Sequence, residues 1–287
     1  MTGLGEARRI GILHPGEMGR VAAATLVHSG NEVYWASDGR SANTKQRAAS
    51  LNLVDTLTIA ELCRRCEAIV SVCPPEFADQ LADEVLTTGF RGLYVDANAI
   101  SPDRALKMAA RMRTRGVTFV DGGIIGLASM TPGKTWLYLS GDAAPEIAKL
   151  FSEGPMQPEV LAGPAGRASA LKMCFAAYSK ITTALLTAIL AAADHQGVRA
   201  ELEQQWSRMP GSLTDAVEKI PLSAPKAWRF VPEMQEIAAT FESSGVSPAF
   251  PKAAAEIYSQ LALFRNAKPD LEAILSVLSP VLAPETK

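Results

Sequence analysis

Strands and helices alternate along the first half of the chain, beginning with RRIGILHPGEMGRVAAATLVHSGNEVYWAS from Arg8 to Ser37. This stretch reads as a strand, a tight loop, a helix and a second strand. Further apolar runs rich in β-branched or aromatic residues then alternate with segments of helical periodicity. An alternating series of this kind predicts an α/β fold with a doubly wound parallel sheet. The predicted strands are residues 8–14, 32–36, 67–73, 91–96, 116–121, 135–140 and 158–162, and the predicted helices between them are 17–29, 41–50, 58–65, 76–87, 102–115 and 143–153.

The second half of the chain has a different texture and shows no convincing strand pattern. After LAGPAGRA, the segment ASALKMCFAAYSKITTALLTAILAAADHQG predicts one long helix that ends at Gly197, as a helix with a C-terminal glycine would. Shorter helices follow, separated by prolines and glycines. We therefore expect a Rossmann-type domain over residues 1–163 and an all-helical domain over 164–287. Because the long helix is apolar nearly all round, it needs cover on every side, which predicts a homodimer formed through the helical domain.

Charge and composition favour a soluble globular protein that binds neither nucleic acid nor a membrane. Hydrophobic residues make up 48% of the 287, so the chain can bury a core, and the net charge of −2 comes without a basic stripe. We expect no nucleic-acid partner. The most membrane-like stretch, residues 181–193, is shorter than the ~20 residues that span a bilayer, and no signal core precedes the first strand. The expected location is the cytoplasm.

Cysteine spacing offers little evidence for a metal site. Cys63 and Cys66 have the spacing of a redox motif, but no proline lies between them and no second pair provides zinc ligands. We expect packed thiols in a reducing compartment and no metal.

The loop after the first strand reads H-P-G-E-M-G, where a dinucleotide-binding loop has G-x-G-x-x-G. The second and third glycines of that pattern are present as Gly16 and Gly19, and they allow close approach of a pyrophosphate and close packing of the helix. His14 replaces the first glycine, which requires a negative φ. Pro15 favours this, because a residue before proline prefers extended geometry. The predicted phosphate-binding residues are His14, Pro15, Gly16, Glu17, Met18 and Gly19.

The end of the second strand distinguishes NADP from NAD. Arg40, with the hydroxyls of Ser37 and Ser41, suits the 2′-phosphate of NADP. Asp38 is the counter-evidence, because an acidic side chain near this position accepts hydrogen bonds from the ribose of NAD. We predict NADP as the cofactor, with NAD as the alternative.

Four stretches resemble the superfamily of 6-phosphogluconate dehydrogenase and β-hydroxyacid dehydrogenases, which also includes imine reductases. They are IGILHPGEMG, IVSVCPP, VDANAISP and GRASALKMCFAAYSK. The resemblance implies that Cys73, Pro74 and Asn98 lie beside the cofactor. It also places Lys172 at the position of the family's catalytic lysine, with Lys180 as a competing lysine on the same helix. The C-terminal half, notably AWRFVPEMQEIAATFESSG, resembles a less characterised branch of the superfamily.

Departures from the family pattern concern the substrate side. Ile125 stands where the family has a serine that anchors the substrate, and Phe175 with Ala176 replaces two asparagines. Arg229 is a candidate for binding a substrate carboxylate or, equally, a surface arginine. The residues expected to line the substrate pocket are Gly123, Ile124, Ile125, Phe175, Tyr178, Ser179, Arg229 and Glu233.

Three functions compete on this sequence. The leading hypothesis is an NADP-dependent oxidoreductase that transfers a hydride between nicotinamide and a small hydroxy acid or ketone, with Lys172 as general acid and base. The second is an imine reductase with an apolar pocket, which the loss of the serine and asparagines favours and the retained lysine opposes. The third is a redox-inert NADP(H)-binding protein.

Overall fold

The computed structural model describes residues 7–208 and 213–278, and these divide into two compact units between Met173 and Cys174. The first unit is a three-layer α/β domain. Among the described residues its sheet has eight strands in the order β3-β2-β1-β4-β5-β6-β7-β8, and every neighbouring pair is parallel except β6 and β7. The strands are β1 (Arg9–Ile12), β2 (Glu32–Trp35), β3 (Val54–Asp55), β4 (Ala68–Ser71), β5 (Leu93–Asp96), β6 (Thr118–Gly126), β7 (Thr135–Ser140) and β8 (Met156–Val160).

Helices cover both faces of this sheet. On one face Ile10 and Ile12 pack with apolar side chains of the first and sixth helices, and on the other Ile69 and Tyr94 pack with those of the third to fifth. The helices are α1 (Glu17–His28), α2 (Ala42–Ser50), α3 (Ile59–Arg65), α4 (Ala78–Thr87), α5 (Pro102–Thr114) and α6 (Ala144–Leu150). The predicted Rossmann-type architecture is confirmed, because strands buried on both faces need a helical layer on each side.

Two features of the sheet differ from the sequence prediction. The two-residue strand β3 was not predicted, because it is too short to show an alternation. Strand β6 continues past the predicted end at residue 121 to Gly126, since residues 121–126 pair with β7 in the antiparallel direction. As a result β6 extends beyond Asp96, the last residue of its other neighbour, β5. This extension forms a raised border at the carboxyl edge of the sheet.

The remaining helices include α7 (Arg167–Ala176), whose residues up to Met173 belong to the first unit. The second unit is helical throughout its described part, as predicted, and α8 contacts α10, α12 and α13. Its helices are a π-helical turn (Ala177–Ile181), α8 (Thr182–His195), α9 (Arg199–Ser207), α10 (Thr214–Ser223), α11 (Ala227–Ser243), α12 (Ala249–Leu261) and α13 (Leu271–Leu278).

The helical run Arg167–His195 is long and apolar enough to cross a membrane by length and composition alone. It is longer than the apolar stretch at residues 181–193 that the sequence singles out. A core helix of a soluble protein meets the same criteria. Within the second unit this run carries Lys180, whose ammonium pairs with Glu233 at 3.0 Å, and it contacts each of the helices α9 to α13. These features are typical of a core helix.

Candidate active site

The candidate site lies at the carboxyl edge of the parallel strands in the first unit. Strand β1 lies between β2 and β4. The sheet therefore grows from β1 to one side through β2 and β3, and to the other side through β4 and β5. Ligands of open α/β sheets bind at such a switch point. His14 follows β1, Ser37 follows β2, Cys73 follows β4 and Asn98 follows β5. The topology therefore brings these predicted cofactor residues to one edge of one sheet.

The N-terminus of α1 is open to an anion. Gly16 is its N-cap residue, and no side chain caps the helix. The first amides of a helix lack partners within the helix, and together with the dipole they attract phosphate groups. A Cβ added at Gly16 would meet no atom within 4 Å, so the space beside this glycine is empty of protein. The residues present therefore fit a pyrophosphate.

Gly19 serves the packing of the loop itself. A Cβ on this residue would lie 1.8 Å from the carbonyl oxygen of His14, far inside van der Waals contact. Only glycine lets α1 pass this close to the end of β1. His14 is not among the described non-glycine residues with positive φ, in agreement with the extended geometry expected before Pro15.

Arg40 extends across the phosphate loop to His14. Its guanidinium contacts Nε2 of the imidazole. Burial, and then the charge of Arg40, lower the pKa of His14 to about 4, so the ring is neutral at pH 7 and accepts this hydrogen bond. Within the described part of the chain Arg40 has no carboxylate at ion-pair distance, and its Nε is buried without a hydrogen-bond partner. A half-buried guanidinium without an acidic partner beside a phosphate loop is suited to bind an anion.

Ser37 and Ser41 have local roles in this structure. Ser37 is buried, and its carbonyl accepts a hydrogen bond from the amide of Arg40. The hydroxyl of Ser41 caps α2 by accepting a hydrogen bond from the amide of Thr44 at 3.3 Å. Among the three residues predicted for the 2′-phosphate, Arg40 thus has a side-chain nitrogen, Nε, for which the described residues supply no hydrogen-bond partner.

Asn98 links the ends of β4 and β5. Its Oδ1 accepts a hydrogen bond from the amide of Cys73 at 2.6 Å, and its Nδ2 donates to Ser71 Oγ at 3.0 Å and to Asp96 Oδ2 at 2.8 Å. Burial raises the pKa of Asp96 to about 7, although the hydrogen bonds that the backbone amide and Nδ2 of Asn98 donate to its carboxylate oppose the shift. Burial also raises the pKa of the Cys73 thiol to about 12, so this cysteine is protonated and unreactive. Asn98 thus holds the loop that contains Cys73 and Pro74.

Lys172 lies on α7 against the extension of β6. A Cβ added at Gly123 would come within 3.0 Å of Lys172 Cβ and 2.6 Å of the carbonyl oxygen of Ala168. The glycine therefore allows α7 to pack directly on the strand. Side chains alternate along a strand, so Ile125 shares the face of Gly123, whereas Ile124 packs in the core cluster of the opposite face. Ile124 is thus buried in the core of the sheet domain, and its place in the substrate pocket stays a prediction.

The other nominated substrate residues belong to the second unit. Phe175 and Tyr178 are exposed by 46% and 75%, and Ser179 Oγ donates to the carbonyl of Ala176 at 3.3 Å. Arg229 is exposed, with its guanidinium over the Trp228 ring at 5.0 Å, which resembles the surface arginine of the alternative interpretation. Glu233 is buried and pairs with Lys180.

Two groups of functional interest were not predicted from the sequence, the hydrogen-bond partners of buried Asp121 and the Lys180–Glu233 pair. An acidic residue inside the apolar strand FVDGG and charged residues inside apolar helices were the available signals, because buried charges require partners. No group of three or more His, Cys, Asp or Glu residues with the geometry of a metal site occurs in the ranges that the structure describes.

Residues 9–144 match the NAD binding domain of 6-phosphogluconate dehydrogenase, and residues 193–261 match a domain of unknown function, DUF1932. A protein from Methanothermus fervidus, described as an uncharacterized 28.5 kDa protein in the 7S RNA 5′ region, is 29% identical over 171 residues. That alignment covers 60% of this chain and 65% of the relative, less than two-thirds of the relative's length.

Solved structures agree with the fold. A conserved protein described as structurally similar to 3-hydroxyacid dehydrogenases is 28% identical, with a TM-score of 0.68 over 88% of this chain and 96% of that one. The 3-hydroxyisobutyrate dehydrogenase of Mycobacterium tuberculosis, solved with L-serine, has a TM-score of 0.72 at 20% identity over 95% and 99% of the chains. The imine reductase of Myxococcus stipitatus, solved with NADP+, has a TM-score of 0.58 at 19% identity over 93% and 98%.

These matches confirm the family resemblance seen in the sequence. The sheet domain thus contains an NAD binding domain of the 6-phosphogluconate dehydrogenase type, the helical part contains a DUF1932 domain, and the fold is similar to that of 3-hydroxyisobutyrate dehydrogenases and imine reductases.

Proposed function

We propose that this protein is an NADP-dependent oxidoreductase that acts on a small hydroxy acid or ketone, with Lys172 as general acid and base. The observation that carries the proposal is the contact between α7 and Gly123 on β6. It holds a lysine at the raised border of the same sheet edge at which the phosphate loop lies. When bound, the nicotinamide supplies or accepts the hydride.

The residues of this chain have separate tasks in the proposal. The uncapped amides of α1 and the space beside Gly16 bind the pyrophosphate, and Arg40 binds the 2′-phosphate. Lys172 donates a proton to the substrate oxygen when a carbonyl is reduced and removes it when an alcohol is oxidised. An ordinary lysine has a pKa near ~10.4, which suits it to the acid role at neutral pH, whereas the base role requires a desolvated ammonium.

A specific observation favours the imine reductase as the second candidate. Ile125, on the strand face of Gly123, is an apolar side chain where the family has a substrate-anchoring serine. Such a border suits a less polar substrate than a hydroxy acid. A redox-inert NADP(H)-binding protein is the outcome that remains if neither substrate class is turned over.

Substitution of the lysine tests the proposal. Turnover of 2-oxobutanoate and of 1-pyrroline with NADPH is measured for the wild type, for Lys172→Met and for Lys107→Met, an exposed control on α5. We expect Lys172→Met to lower kcat for the keto acid about 10²- to 10⁴-fold, the range of general acid catalysis, with little change in NADPH affinity. The control retains wild-type turnover. Full activity of Lys172→Met, or faster turnover of the imine by the wild type, contradicts the proposal.

A homodimer and a cytoplasmic location complete the proposal. Several large apolar side chains of the helical unit are exposed, including Leu185 by 53%, Leu222 by 72% and Phe250 by 69%, and a second copy of the chain would cover such a surface.

All four cysteines are free, and two of them, Cys63 and Cys66, are buried in the sheet domain, which supports a reducing compartment.

A further inference from the structure

The carboxylate of Asp121 is buried where β6 passes the end of β5. Only 1% of the residue is exposed, and four donors point at its two oxygens. Ser140 Oγ donates at 2.8 Å, the amide of Gly166 at 2.9 Å, the amide of Ser169 at 3.1 Å and Ser169 Oγ at 2.5 Å. A buried carboxylate is tolerated when its oxygens accept several hydrogen bonds, and here they do.

These bonds hold the first turn of α7 to the sheet. The amide of Ala168 donates to Ser140 Oγ at 3.1 Å, so two side chains of β6 and β7 accept the amides of Gly166, Ala168 and Ser169. The first amides of a helix have no partner within it, and a negative charge at this end is favourable to the dipole. The helix is therefore fixed at its start by side chains from two neighbouring strands.

A second contact sets the distance of α7 from β6. Gly123 lies two residues after Asp121 on the same strand face, where it touches the helix at Ala168 and Lys172. The bonds at Asp121 fix the helix along its axis, and the glycine fixes how closely it approaches. Lys172 is three residues after Ser169, less than one helical turn away. Its backbone position is thus determined by the strand.

We propose that Asp121, acting through Ser140 and Ser169, is the positioning residue that sets the location of the Lys172 ammonium over β6. This inference rests on the proposed function, in which Lys172 transfers the proton. A displacement of about 1 Å at a reacting group costs on the order of 10²-fold in rate. Loss of the carboxylate therefore impairs turnover through the position of the lysine, without removing any group that binds the cofactor.

The test compares Asp121→Asn and Ser169→Ala with Thr25→Val. Thr25 is equally buried in the sheet domain, and its hydroxyl accepts a hydrogen bond from the amide of Met156, so its loss destabilises the domain away from α7. We expect about a 10- to 100-fold lower kcat for Asp121→Asn, a smaller loss for Ser169→Ala, and wild-type kcat for Thr25→Val. The Kd for NADPH stays within about twofold in every folded variant.

Two further readouts separate position from stability. Hydrogen exchange at the amides of Gly166, Ala168 and Ser169 becomes faster in Asp121→Asn and Ser169→Ala but stays slow in Thr25→Val. The limb of the pH–rate profile assigned to Lys172 moves only in the first two variants. If Asp121→Asn does not fold, Ser169→Ala provides the same comparison with the carboxylate retained.

Two results contradict the inference in distinguishable ways. Wild-type kcat and pH profile in a folded Ser169→Ala or Asp121→Asn, together with an inactive Lys172→Met, overturn the positioning role and leave the proposed function intact. Full activity of Lys172→Met overturns the proposed function itself.

Discussion

His14 is the residue at which the turn after β1 departs furthest from a glycine-rich phosphate loop. Its imidazole accepts a hydrogen bond from Arg40 and is neutral at pH 7. His14 therefore stands where the glycine-rich pattern has a flexible glycine, and its imidazole holds the guanidinium of Arg40 beside the loop. Gly16 and Gly19 retain the two tasks that no larger residue performs, a free approach for phosphate and a close crossing of the backbone.

Alanine at each of these glycines has a different effect. Gly19→Ala places a methyl group 1.8 Å from the carbonyl of His14, so we expect a loss of stability on the order of 1–3 kcal/mol or more. Gly16→Ala meets no protein atom, and its φ of −71° suits alanine, so stability is unchanged while NADPH affinity falls at least about tenfold. Thermal unfolding and titration calorimetry measure both. Normal cofactor affinity in Gly16→Ala would refute the assigned path of the pyrophosphate.

His14 also makes stability depend on pH. The pKa of His14 is about 4 in the folded protein and 6.5 for an ordinary histidine in the unfolded chain, so between these limits the unfolded chain binds more protons. Stability from this residue is present above pH 6.5 and is lost as the pH falls through 4, by at most about 3 kcal/mol. Urea unfolding at pH 7 and pH 4 should show a smaller acid loss for His14→Gln than for the wild type. Equal losses in the two proteins would show that the imidazole is not buried as a neutral ring.

At the scale of elements, local patterns predicted most of the sheet domain but not its long-range pairings. Runs of β-branched residues predict the strands that alternate with helices, and Gly16 and Gly19 predict a phosphate-binding loop after β1. The extension of β6 through Gly122 and Gly123 has weak strand propensity and exists because β7 pairs with it. The hydrogen bonds of Asp121 likewise join residues that are 19 to 48 positions apart, which no local pattern reveals.

The π-helical turn Ala177–Ile181 contains Lys180, which forms a largely buried ion pair with Glu233 of α11. The Lys180 ammonium is 3.0 Å from Glu233 and 5.1 Å from the centre of the Phe230 ring, and the hydroxyl of Tyr258 donates to the Lys180 carbonyl at 2.7 Å. Such turns interrupt the regular helix bonds and are frequent at functional sites. From the sequence, Lys180 was predicted only as the alternative to Lys172 for the catalytic lysine, because no local pattern pairs Lys180 with Glu233.

Removing one partner of this pair is costlier than removing both. We expect Lys180→Met and Glu233→Leu each to destabilise the protein by about 3 kcal/mol, since each removes the opposite charge from an ion that is largely shielded from water. The double variant should lose less than the sum of the two. Chemical denaturation of the four proteins gives the coupling energy. Strictly additive losses would mean that the two charges do not stabilise one another.

At the scale of the whole molecule, the exposed apolar side chains of the helical unit predict self-association. Leu185→Asp introduces a charge on α8 at a side chain that is 53% exposed, so a monomer would tolerate it with little loss of stability. We expect sedimentation velocity to give a dimer for the wild type and a monomer for this variant. Glu256→Lys on α12 is the matched charge control and stays dimeric. A wild type that is monomeric at micromolar concentration contradicts the proposed homodimer.

Binding of the nicotinamide nucleotides tests the account most directly. Isothermal titration of the purified apo protein with NADPH and with NADH, for the wild type and for Arg40→Ala, measures whether the loop from His14 to Gly19 binds a pyrophosphate and whether Arg40 binds the additional phosphate. We expect saturable binding of both nucleotides to the wild type, tighter for NADPH than for NADH, and loss of this preference in Arg40→Ala. Absence of heat with either nucleotide on a folded wild type would contradict it.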